Sequence, residues 1–178
     1  MSLMKFNHVL IAAFGTLVLG VAVTAEAQQG GLSALKGHNS KAPIDLAADH
    51  AEAQDRADRA IFSGNVVIKQ EELTLRTDRL TMAYSNAGKG LDLSRVDASG
   101  GVVITSPSET ARGDFGTYDL NAGLITVVGN VRLERNGSFL NGARLTIDTN
   151  TGRATMDGGT GSNGGRVTGR FLVPQKRS

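Results

Sequence analysis

Apolar residues recur at every second position in several short stretches of this chain. Val66 and Ile68 begin one such stretch, and Leu80 and Met82 continue it after an interval. Val102 and Ile104 repeat the first pair, and so do Val131 and Leu133; Leu145 and Ile147 repeat the second. A period of two places these residues on one face of β-strands, because successive side chains of an extended chain point to opposite sides.

The stretches belong to an internal repeat whose three copies align without gaps from Gly64, Gly100 and Gly129. Each opens with Gly, then Gly or Asn, then Val, and each carries Thr at a fixed later place: Thr81, Thr117 and Thr146. In the second copy Gly116 and Tyr118 stand where the others have an aliphatic pair, so the face continues but is thinned. A glycine within a strand pattern signals a bend, a bulge or a close approach by another group.

Asn86-Ala87-Gly88, Asn121-Ala122-Gly123 and Asn150-Thr151-Gly152 separate the units, and Asn and Gly tolerate the positive φ of tight reversals. A partial copy precedes them, since residues 49–54 align with 114–119, and a fading copy follows Gly158. No apolar stretch has a helical period. Residues 47–60, rich in alanine and charge, have helical propensity, but the repeat alignment covers them and predicts strand. The expected architecture is all-β: stacked or wound antiparallel sheet, a jelly roll or a related roll.

Residues 1–27 read as a signal peptide, with Lys5 before an apolar run at 9–23 and a small-x-small site at Ala25-Glu26-Ala27. The run approaches the roughly 20 residues of a membrane span, so a retained anchor is the alternative; the cleavage site favours removal and export. Of 178 residues, 151 would then remain, the size of one domain. Residues 28–43, rich in Gly, Ser and Gln, are expected to form a flexible lead segment. The expected β domain spans 44–174, with a basic tail at 175–178.

With no cysteine there is neither a disulfide framework nor a thiolate metal site. A net charge of +2 gives no case for nucleic acid. The C-terminal end is locally basic, with Arg166, Arg170, Lys176 and Arg177 and no acid after Asp157, which suits a phosphate-bearing or acidic partner as well as a solvated tail. His38 and His50, beyond the expected signal, lack nucleophile or metal spacing, and the acids are dispersed, so neither an enzyme nor a metal or cofactor site is expected. The Gly-x-Gly-x-x-Gly at 159–164 has no room for the following helix and strand of a dinucleotide fold and reads as a loop. Asn136-Gly137-Ser138 and Arg112-Gly113-Asp114 match glycosylation and adhesion tripeptides, but both are short enough to arise by chance.

The Gly64-Asn65-Val66 and Gly129-Asn130-Val131 starts, the Gly100-Gly101-Val102 start, the segment Thr77-Asp78-Arg79-Leu80-Thr81-Met82 and the closing Gly165-Arg166-Val167-Thr168-Gly169-Arg170-Phe171 resemble the OstA-like repeat of the LptA family over about residues 43–174. That resemblance implies an OstA-like twisted open β jelly roll built from repeated antiparallel strands. It further implies a periplasmic carrier whose interior cradles the acyl chains of lipopolysaccharide (lipid A). Such proteins stack end to end as homo-oligomers between an LptC-like inner-membrane protein and an LptD-like outer-membrane protein. Carried onto this sequence, the inward face would be Val66, Ile68, Leu73, Leu75, Leu80, Met82, Val102, Ile104, Tyr118, Val131, Leu133, Leu145 and Ile147, with Arg166 and Arg170 as candidate phosphate contacts. The same alternation also suits a structural or adhesive repeat protein with a closed core; a polysaccharide module is disfavoured by the absence of Trp and the two Tyr.

Overall fold

The computed structural model describes residues 38–39, 42–85, 92–159 and 165–173. The expected signal peptide, most of the lead segment, the Asn86-Ala87-Gly88 turn, most of the glycine-rich stretch at 159–164 and the basic tail lie outside these residues.

Among the described residues ten strands form one antiparallel sheet: β1 (Asp45–Ala47), β2 (His50–Gln54), β3 (Arg59–Gln70), β4 (Leu73–Ser85), β5 (Asp92–Thr105), β6 (Glu109–Asp119), β7 (Leu124–Arg135), β8 (Ser138–Asp148), β9 (Arg153–Asp157) and β10 (Thr168–Arg170). The order is β1-β3-β4-β5-β6-β7-β8-β10, with β2 also on β3 and β9 also on β8. Both outermost layers are therefore split. One half of β3 pairs with β2 and the other with β1, just as one half of β8 pairs with β9 and the other with β10. The helical propensity of residues 47–60 survives only as a 3-10 turn at Asp55–Ala57; pairing of His50–Gln54 with β3 makes the rest strand.

Each repeat copy is one hairpin: β3–β4, β5–β6 and β7–β8. Near its middle, every one of these strands passes through a register shift, between Ser63 and Val66, Arg76 and Arg79, Ser99 and Val102, Arg112 and Phe115, and Val128 and Val131. The shifts make a seam across the sheet. On β3, β5 and β7 it is formed by the Gly-Asn or Gly-Gly pair that opens each copy, and all six residues have positive φ, from 45° at Asn65 to 85° at Gly100. Bulges of this kind bend a strand and increase its twist.

An aspartate locks each bend: Asp49 from the junction of β1 and β2, Asp78 from β4 and Asp114 from β6. A methyl group at Gly64 would stand 2.5 Å from an Asp49 carboxylate oxygen, one at Gly100 would stand 2.6 Å from that of Asp78, and one at Gly129 would collide with that of Asp114. Asn65 donates through Nδ2 to Asp49 at 2.8 Å and Asn130 to Asp114 at 2.9 Å. Asp78 and Asp114 each follow the opening glycine of their own copy by fourteen residues, and each clamps the next copy. In the last hairpin that place is Ala143, packed under Gly159, so the series ends without a carboxylate.

The bends fold the sheet's inner face upon itself. Gly113 on one side of the seam leaves room only for Val127 from the other, and a methyl group at Gly116 would stand 3.1 Å from Val102 Cγ1. The thinned face at Gly116 is thus a close approach by Val102. The core lies along this crease, with Leu80, Val127 and Leu145 wholly buried and Val66, Val102 and Val131 at 1% exposure.

Two substitutions, one at the first and one at the second position of the pair, test the seam. Gly129→Ala places a side chain at φ 80° against Asp114, and we expect a loss of about 1–3 kcal/mol of unfolding free energy. A methyl group at Gly101, where φ is 57°, would meet nothing within 4 Å. Gly101→Asn restores the donor that the other copies hold beside their aspartate, and should gain about 0.5–1 kcal/mol. Urea unfolding midpoints read both.

Candidate functional site

Residues paired directly across an antiparallel sheet share a face, so the register assigns sides. One inner row runs Leu46, Ile68, Leu75, Ile104, Ala111, Leu133, Leu140; beyond the seam a second runs Phe62, Leu80, Ala98, Gly116, Val127, Leu145, Met156, and a third Ala60, Met82, Val96, Tyr118, Ile125, Ile147, Ala154. Inward parity is kept through the bend on β3, β5 and β7 but flips on β4, β6 and β8, where Leu73, Leu75 and Thr77 give way to Leu80 and Met82. The two-residue bulge of one strand opposes a single residue of the next, which produces the flip.

The first row and its neighbours face the second and third across a cleft. Ile44, Ile68, Gln70, Leu73, Leu75 and Ile104 line one side and Val96, Ala98, Gly116, Tyr118 and Ile125 the other, enclosing about 550 Å³ that includes space open to solvent. All thirteen apolar residues expected to face inward do so. Val66, Ile68, Leu73, Leu80, Val102, Ile104, Val131, Leu133, Leu145 and Ile147 are buried in one cluster, and Leu75, Met82 and Tyr118 pack against it, partly buried.

Sequence reasoning missed Val96, Ala98, Ala111, Ile125 and Val127, which belong to the same cluster. The signal was present for four of them: Ala98 and Val127 stand two places before an opening glycine, and Val96 and Ile125 four before, in step with Phe62 and Ala60 before Gly64. An alignment begun at the glycine discards the first half of each strand.

The outer face is polar. One row across the sheet reads Ile61, Thr81, Asp97, Thr117, Thr126, Thr146, Thr155, which explains the repeated threonines. The ion pairs there, Arg95–Asp97 at 2.9 Å and Arg132–Glu134 at 2.8 Å, are about half exposed and contribute little to stability. The Arg112-Gly113-Asp114 tripeptide lies inside β6 at the seam, and Asn136-Gly137 is the two-residue turn between β7 and β8, both at positive φ. Arg166 and Arg170 are exposed, and Arg170 pairs with Phe139, in the outward row of Glu134 and Lys69.

The mouth of the cleft has a polar rim on one side. Gln70, Glu109 and Arg135 continue the inward parity of Ile68, Ala111 and Leu133 toward the turns. Gln70 is buried and donates through Nε2 to the Ala42 carbonyl at 2.9 Å, while its Oε1 lies 3.0 Å from His38 Nε2. Glu109 is the unusual group. Its side chain is 2% exposed, neither carboxylate oxygen has a hydrogen-bond partner, and Arg135 Nη1 lies 3.3 Å from Oε1. Burial raises its pKa and outweighs the opposing pull of Arg135. Leu73, Ile104, Leu133 and, from the facing half-sheet, Ile147 surround it. Among the described residues no three His, Cys, Asp or Glu side chains gather as a metal site.

A single bent antiparallel sheet with a continuous apolar inner face defines the class: an open β jelly roll whose interior is an elongated groove. Residues 45–153 match the model of the LptA/(LptD N-terminal domain) LPS transport protein family, and the chain belongs to that family. It is 30% identical over 173 residues to an uncharacterised protein of Rhizobium meliloti (strain 1021), covering 94% of this chain and 90% of that one. Its fold matches the crystal structure of LptH, described as the LptA homologous periplasmic component of the lipopolysaccharide transport device of Pseudomonas aeruginosa. The TM-score is 0.65 at 19% identity, over 76% of this chain and 99% of that one.

Glu109 gives the molecule a pH dependence whose sign follows from its environment. Because the folded state binds this proton more tightly than the unfolded chain, stability falls as pH rises through the window between the two pKa values and stays lowered above it. Glu109→Gln removes that loss. Its thermal midpoint should exceed the parent's at about pH 7.5 and approach it at about pH 3, below the ordinary Glu value.

Proposed function

We propose that this chain is a periplasmic lipopolysaccharide carrier, which holds the lipid's acyl chains between the half-sheets and leaves sugar and phosphate in water at the mouth. It acts by binding rather than by catalysis. The observation that carries this reading is the continuity of the inner face: aliphatic side chains run from Leu46 on β1 to Met156 on β9 without a charged residue in the three inner rows. Acyl chains need only such a surface, since each methylene withdrawn from water contributes about 0.8 kcal/mol. The cleft is slender, so uptake of several chains requires the half-sheets to part about the seam.

The sheet's ends support a role as one link in a bridge. β1 and β2 bound one end and β9 and β10 the other, and Val167, Phe171, Leu172 and Val173 are exposed beside β10. Open edges pair readily with further strands. A homo-oligomer stacked end to end, contacting an LptC-like protein at one membrane and an LptD-like protein at the other, is the assembly we propose.

Photo-crosslinking to lipopolysaccharide tests the reading. A reactive group is placed in turn at Ile68, Ile104 and Leu133, and, for comparison, at Val67, Val103 and Arg132 in the adjacent outward row. Adducts confined to the first set are the expected result. A folded protein that gives none has a closed core, and a structural repeat protein becomes the better description.

A further inference from the structure

The two lips of the groove differ in chemistry. One half-sheet ends at its turns in Gln70, Ser106, Glu109, Arg135 and Ser138, whereas the facing one ends in the partly buried Leu93 and Leu120, packed against the core, and in the buried Thr149, whose hydroxyl donates to the Gly123 carbonyl at 2.9 Å. A carboxylate that is almost wholly buried, without a hydrogen bond to either oxygen and set among leucine and isoleucine, is costly to keep. Packing alone would be served better by an apolar residue. Its ion-pair partner, by contrast, reaches water: the Arg135 side chain is 34% exposed.

Resting on the carrier reading, we infer that Arg135 anchors a phosphate of the lipid's head group, and that Glu109 is the counter-ion that holds Arg135 at the lip until that phosphate replaces it. The guanidinium suits the task, because it offers paired donors to phosphate oxygens and lies two residue pairs beyond Leu133, at the next inward position, where acyl chain gives way to head group. Arg170 is less well placed, since its row faces outward. The head group therefore leaves the groove at the lip formed by the turns at 71–72, 106–108 and 136–137.

When Arg135 turns to phosphate, Glu109 would remain a buried anion. It avoids that state by taking a proton from solvent, as its raised pKa favours. Arg135 on β7 is the charged group facing it; Leu73 on β4, Ile104 on β5 and Ile147 on β8 contribute none. Capture of a phosphorylated lipid should accordingly strengthen as pH falls through the titration of Glu109.

The test compares binding of lipid A bisphosphate and enzymatically dephosphorylated lipid A to the parent protein and to Arg135→Gln, Arg135→Lys, Glu109→Gln and the double Glu109→Gln/Arg135→Gln variant. The parent should prefer the phosphorylated lipid by about tenfold. Arg135→Gln should abolish that preference and leave the dephosphorylated lipid bound as before, and Arg135→Lys should recover part of it. Glu109→Gln should bind the phosphorylated lipid more tightly at neutral pH and keep only the pH dependence that the phosphate's own second ionisation imposes. Should Arg135→Gln fail to fold, the double variant, which leaves no uncompensated carboxylate, must show the same loss of preference.

A preference that survives removal of Arg135, or an equal loss for both lipids, overturns the assignment. So does millimolar inorganic phosphate that binds the parent but not Arg135→Gln, since the pair is then a free-anion site. If the parent binds neither lipid, the carrier reading itself fails and the site with it.

Discussion

The structure depends on a backbone constraint repeated at each hairpin: two residues at positive φ, set against a carboxylate from earlier in the chain. Asp49, Asp78 and Asp114 fill the space where side chains at Gly64, Gly100 and Gly129 would stand. A strand that bends at one point only creases a sheet if its neighbours bend in line. The fixed interval of fourteen residues from opening glycine to aspartate supplies that alignment, because each copy's aspartate secures the bend of the next. Without this register a flat sheet would expose its whole aliphatic face to water.

The groove follows from the crease. At its base the half-sheets meet so closely that Val127 and Val102 displace any side chain from Gly113 and Gly116. Toward the mouth they diverge, and the lining changes from small aliphatic groups to Tyr118, Met82, Leu75 and then the polar rim. On the proposed carrier reading, a ligand that is apolar at one end and charged at the other would match this gradient. The hydrophobic effect would hold it without selecting direction; the rim would supply direction, because burial of a charged head against Leu93 and Leu120 would be opposed by desolvation.

The apolar rows run across the strands rather than along them, so the inner face ends at the sheet's edges, where a further strand could pair. Splitting of the outer layers into β1 and β2 at one end, and β9 and β10 at the other, keeps the crease intact up to both edges. Replacement of the clamp aspartate by Ala143 in the last hairpin marks where the internal series stops.

Much of this was legible in the sequence. Alternation requires only that the two faces of a strand meet different surroundings, so it identified Val66, Ile68, Val102, Ile104, Val131, Leu133, Leu145 and Ile147 as one face, and the repeat told how often the hairpin recurs. The turn residues declared themselves because few side chains accept positive φ. Nothing local to Asp78 and Asp114, in contrast, declares their role, since a clamp exists only when the next strand is brought alongside. The burial of Glu109 was equally hidden: a carboxylate after a Ser-Pro-Ser turn looks like surface, and only the approach of Ile147 from the facing half-sheet removes it from water. Local pattern decides what each strand offers to either side; which residues become neighbours across a crease, and which charges lose their solvent, is settled by long-range packing alone.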